Sequence, residues 1–150
     1  MIRVEVSVAI DRSSDEVFTY LSEWSNNPEW QKGMKSCTWT SDPPLRVGST
    51  YDQVASFMGK PIISSFEVVE YEPGIKVRIR TTESSMALDI TREVSPEKDA
   101  SRVTATVQGE PAGAMRLFNP LMKLLVKRSV TRDYKRLKEI LEGGTGSGSA

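Results

Sequence analysis

Histidine is missing from this chain of 150 residues. Its absence removes the commonest general acid/base near neutral pH, the Ser-His and Cys-His nucleophile pairs, and most zinc sites. Any catalysis would have to run on carboxylates, tyrosine, lysine, arginine or ordered water. Cysteine is almost missing as well. Cys37 stands alone, so no intrachain disulfide can form, and a cytoplasmic compartment fits better than a secreted one. Cys37 itself reads as a half-buried strand thiol. With one cysteine and no histidine, no metal is expected; with neither a GxGxxG nor a P-loop pattern, no phosphate-cradling loop is present, and no cofactor is expected. Long apolar runs are absent too. The opening residues Ile2-Arg3-Val4-Glu5-Val6-Ser7-Val8 alternate instead of forming the core of a signal peptide, and nothing is long enough to cross a membrane.

What is present reads as one domain, residues 1–142, followed by a flexible Gly/Ser tail over 143–150. Val4, Val6, Val8 and Ile10 share one face of a first strand. Ser13-Ser14-Asp15-Glu16 has capping-box spacing, which starts a helix whose buried stripe is Val17, Phe18, Tyr20 and Leu21. Asn27-Pro28 predicts a second short helix with Asn27 as its N-cap. From Ser36 the period changes to two, and strands are expected near 36–40, 49–57, 62–71, 75–82, 86–95 and 101–109. Pro73-Gly74 fits the central positions of a type II turn, making the hairpin around it the best defined. Ile75, Val77 and Ile79 oppose Lys76, Arg78 and Arg80, while Met86, Leu88 and Ile90 oppose Ala87, Asp89 and Thr91. The Lys76, Arg78, Arg80 row reads as a solvated outer face, with an anion-binding strip as the alternative.

Asn119-Pro120 opens a last helix expected to run to about Leu141. Met122, Val126, Val130, Tyr134, Leu137 and Leu141 form its apolar stripe, widened by Leu121, Leu125 and Ser129. Charge is distributed unevenly. From Ala114 onward eight basic residues face three acidic ones, and the remainder of the chain carries the compensating negative excess, although the total is zero.

Asp11 to Phe18, Asn27-Pro28-Glu29-Trp30, Val47-Gly48-Ser49, Glu70-Tyr71-Glu72-Pro73-Gly74 and the closing helix together resemble the START-related, Bet v 1-like helix-grip proteins, within them the polyketide cyclase/dehydrase and lipid-transport-like group. The resemblance covers about residues 2–141. It implies an α+β fold: a curved antiparallel sheet of about seven strands around a long C-terminal helix, with two short helices after the first strand. It also implies a pocket between sheet and helix, with the early helices at its mouth. It carries over no catalytic motif. By strand and helix parity, Trp30, Tyr51, Gln53, Phe57, Phe66, Ile79, Met86, Leu88, Leu121, Leu125 and Ser129 are candidates for the lining. Each apolar member would serve equally well in an ordinary core.

Three functions are open on this reading. The first is binding or carrying a hydrophobic small molecule such as a lipid, quinone or polyketide-like species. The second is a cyclase or dehydratase, with Tyr51, Asp52 and Gln53 as first suspects and the inward orientation of Asp52 as the discriminator. The third is an interaction module that uses the basic helix, or the apolar segment Leu117 to Met122, against an anionic membrane, RNA or a protein. Nucleic acid is not expected as a partner, because no aromatic side chains interleave with the basic ones.

Overall fold

The computed structural model describes residues 2–57, 59–84, 86–111 and 119–148. Strand β1 (Ile2–Ile10) leads into helix α1 (Ser14–Ser22), a 3₁₀ turn (Trp24–Asn26) and helix α2 (Asn27–Trp30). Strands β2 (Met34–Trp39), β3 (Thr50–Phe57), β4 (Lys60–Glu72), β5 (Lys76–Ser84), β6 (Met86–Glu97) and β7 (Ala100–Pro111) follow, and helix α3 (Asn119–Gly148) closes the chain. The seven strands form one sheet in the order β1-β7-β6-β5-β4-β3-β2, and every pairing is antiparallel. The expected helix-grip architecture is therefore the observed one.

Local chemistry accounts for the boundaries. Ser13 caps α1 as the spacing required: its Oγ accepts from the Glu16 backbone N–H and donates to the Glu16 carboxylate. The Pro73-Gly74 turn is closed by the Ile75 N–H donating to the Glu72 carbonyl at 2.9 Å, with Gly74 at φ +77°, the left-handed conformation that glycine adopts without a Cβ clash. At α2 the expectation needs correction. Asn26 is the N-cap and makes no side-chain capping bond, while Asn27 is the first helical residue. The preceding 3₁₀ turn already supplies helical backbone, so Asn27 turns inward, is buried, and donates from Nδ2 to Cys37 Sγ at 3.5 Å. Helix α3 runs past Leu141 to Gly148.

Sheet and helix bury a common core of Ile10, Val17, Phe18, Leu21, Trp24, Val68, Val77, Val94, Val103 and Leu137, among others. Met122, Tyr134 and Leu137 of the predicted stripe are buried, whereas Leu121 is 50 % exposed. It lies beside the stripe on the first turn of α3, directed away from the sheet. Leu117 and Phe118 of the apolar segment lie outside the described residues. On the outer face, Lys76 and Arg78 pair with Glu70, and Arg78 and Arg80 pair with Asp89. The row read as solvated is thus a charge ladder already matched by carboxylates on β4 and β6, which removes the anion-strip alternative.

Candidate functional site: a half-filled grip

The interior of the grip is divided along the strands. At one end large side chains meet: Trp24 stacks on Tyr51 with centroids 4.6 Å apart, and Tyr51 on Phe66 at 5.1 Å. At the other end the inward positions carry smaller or flexible groups, and a cavity of about 180 Å³ remains. Its sheet side is built by Met34, Gln53, Ala55, Ile62, Ser64, Met86, Leu88, Ile90 and Val107, and its helix side by Val126, Ser129, Val130, Asp133 and Tyr134. Trp30 and Gln31 from the end of α2 complete it with Gly33 and Ser56. A Cβ on Gly33 would lie 2.7 Å from the Ser56 carbonyl oxygen, a distance real side chains do not reach. Only glycine permits the close approach that seats the Ser56 N–H on the Gly33 carbonyl at 2.7 Å.

Pairing register explains why the division falls where it does. Tyr51 is opposite Phe66, Gln53 opposite Ser64, and Ala55 opposite Ile62, so bulky residues coincide at one end and slimmer ones at the other. Among the sequence candidates, Trp30, Gln53, Met86, Leu88 and Ser129 are brought together around the cavity. Tyr51, Phe66 and Ile79 are not; all three are sealed in the packed core at 2 % exposure or less. Leu121 faces solvent, and Leu125 is half-buried outside the lining. Phe57 lies on β3, and its side chain is outside the described ones. Asp52 settles the orientation question: it is exposed on the outer face and accepts from Ser65 Oγ at 2.8 Å. As a proton-transfer group in the cavity it is ruled out by parity. Tyr51 is equally unsuited, since burial pushes its hydroxyl well above the ordinary range.

The residue the sequence reading missed is Arg92. It continues the inward row of β6 two positions beyond Ile90, is 5 % exposed, and lines the inner end of the cavity. Its guanidinium carbon lies 5.0 Å from the Trp30 ring centroid and 6.0 Å from that of Trp24, so two indole faces supply part of the stabilisation that water would otherwise give. Its Nε and Nη1 are buried without a hydrogen-bond partner. Burial shifts the titratable groups around it upward. Burial raises the Cys37 thiol to about 11, partly offset by the bond from Asn27. Burial also raises Tyr134, against the opposing charge of Arg92. The Asp133 carboxyl is likewise pushed upward by burial; its Oδ1 accepts from the Lys32 backbone N–H at 3.2 Å.

A curled antiparallel sheet gripping one long helix around a partly apolar hollow defines the helix-grip fold. The chain belongs to the polyketide cyclase / dehydrase and lipid transport family, whose sequence model matches residues 1–142. No curated protein sequence matches it. Solved structures share the fold at low identity. TTHA0849 from Thermus thermophilus is 20 % identical with a TM-score of 0.84, covering 95 % of this chain and 98 % of that one. A START superfamily protein from Mycobacterium smegmatis is 13 % identical with a TM-score of 0.78, covering 94 % and 97 %. The Zhui aromatase/cyclase from Streptomyces sp. R1128 is 11 % identical with a TM-score of 0.75, covering 93 % of each chain. Among the described residues, no helix is long and apolar enough to cross a membrane.

Proposed function

We propose that this protein binds a hydrophobic small molecule in the hollow end of the grip, between β3, β6, β7 and α3. The observation that carries this reading is the contrast inside one interior: the chain stacks buried aromatic rings at one end and leaves about 180 Å³ at the other. Apolar cavities of about 150 Å³ accept a benzene ring, so the resting volume suits one or two rings or a short chain. Met34 and Met86 line it, and their unbranched side chains adapt to a larger guest. Binding is placed before cyclisation because, of the three suspects, Asp52 faces outward, Tyr51 is sealed in the core, and only Gln53, neither acid nor base, lines the cavity. The test is native mass spectrometry of the protein purified from its own host, with extraction and identification of what accompanies it. A stoichiometric lipid, quinone or polyketide-like species is the expected result. The variant Val126→Trp, which fills the cavity, should emerge empty while remaining folded; an equally loaded variant would place binding elsewhere.

A second reading is favoured by one surface feature. Leu121 and Leu124 are 50 % and 55 % exposed on α3, beside exposed Lys123, Lys127 and Arg128. This combination suits peripheral contact with an anionic membrane, where each basic side chain near the surface contributes about 1 kcal/mol. Co-flotation with phosphatidylserine vesicles at low salt, lost at high salt and absent with phosphatidylcholine alone, is the expected outcome.

A further inference from the structure

We infer that the guest carries an oxyanion, a carboxylate or its equivalent, and that Arg92 is the residue that receives it. The inference rests on the cavity being a binding site and specifies what that site selects. A guanidinium stays protonated in any protein environment, so Arg92 brings a fixed positive charge into the interior. Burying a charge without a hydrogen-bonded counter-charge is strongly unfavourable, and natural proteins pair nearly all buried polar groups. Here the pairing is incomplete. Nε and Nη1 have no partner, and among the described residues no ion pair joins Arg92 to a carboxylate.

The Tyr134 hydroxyl accepts from the Arg92 guanidinium and Asp133 feels its charge, but neither reaches Nε or Nη1. Asp133 on α3 is engaged by the Lys32 backbone and by Arg132. Cys37 on β2, Tyr51 on β3 and Tyr134 on α3 are kept protonated by burial. The Trp24 and Trp30 faces hold the guanidinium in position but leave Nε and Nη1 to donate in the plane, since a cation–π contact uses the face of the ion. A fixed cation that lines an apolar hollow and keeps two donors without a partner is suited to a carboxylate. The remaining wall, with Leu88, Ile90, Val107 and Val126, takes the apolar body.

The test is isothermal titration calorimetry at neutral pH with 2-naphthoate and its uncharged counterpart 2-naphthamide, on the wild type and on Arg92→Met and Arg92→Lys. Expected is tighter binding of the acid by the wild type, by about tenfold or more. Arg92→Met should lose this preference while still binding the amide, and Arg92→Lys should keep part of it. Val126→Trp should bind neither, placing the preference in the cavity and not on the basic surface of α3. Equal wild-type affinity for both probes overturns the inference and leaves the cavity reading intact, as does an acid preference surviving in Arg92→Met. Binding of neither probe by the wild type removes the cavity reading and this inference with it. If Arg92→Met does not fold, the wild-type comparison and Arg92→Lys still decide.

Discussion

The two ends of the grip are built on the same strands by the same alternation, yet one is solid and the other hollow. At the solid end Tyr51 and Phe66 face each other across β3 and β4, and Trp24 of the 3₁₀ turn stacks on Tyr51. Two residues along, Gln53 and Ser64 occupy the corresponding positions, and α3 meets them with Val126, Ser129 and Val130. The difference is a matter of side-chain volume at matched register, which places rigidity and vacancy side by side in one domain. The solid end holds the fold; the hollow end is free to vary with its guest.

Substitutions can break or sharpen this contrast. Phe66→Ala removes a fully buried ring from the stack and should cost about 3–5 kcal/mol in denaturant-induced unfolding. Ile90→Ala, beside space that already exists, should cost only about 1–2 kcal/mol. If the two losses are equal, the ends are not energetically distinct. A bound guest sharpens the contrast: at about a hundredfold excess over Kd it should add about 2.7 kcal/mol to the wild type and nothing to Val126→Trp.

The smallest effects separate an outer acid from an inner one. Hydrogen bonds from Arg78 hold Asp89 below its ordinary range, so the stability it contributes is present above about pH 4 and lost as pH falls through its folded pKa. Burial raises Asp133, so its contribution runs the other way: present below about pH 4 and lost as pH rises through the folded pKa. In thermal melts across pH, Asp89→Asn should therefore be less stable than wild type at pH 7 and Asp133→Asn more stable. Both differences should stay below about 1 kcal/mol and close towards acid. A shared sign at pH 7 would mean that Asp133 is solvated.

The fold was legible because its signals are local. Ser13 with Glu16, Pro73 with Gly74, and alternation over 86–95 each act within a few residues, and each appears where expected. The site was legible only in part, because parity separates inward from outward but cannot say which inward residues touch space. Tyr51 and Gln53 have identical parity; only the pairing of β3 with β4 sends one into the stack and the other to the cavity. Leu121 failed for another reason, since its helical spacing was sound but the first turn of α3 presents it to solvent. Arg92 carried a signal that went unread. Extending the row Met86, Leu88, Ile90 by one step reaches a cation on the inward face, and its contact with the cavity then needs the structure.

A sheet that curls without closing retains two rims, and an unpaired rim invites another chain to add to it. Here one rim is β1, along which α3 lies. The other is β2, only six residues long, and its register with β3 shifts between Met34 and Ser36, leaving the exposed Lys35 at an irregular point of the rim. A short, kinked, charged border is a poor template for intermolecular strand growth. The protein can thus keep an open apolar hollow without offering its backbone as a seed for polymerisation.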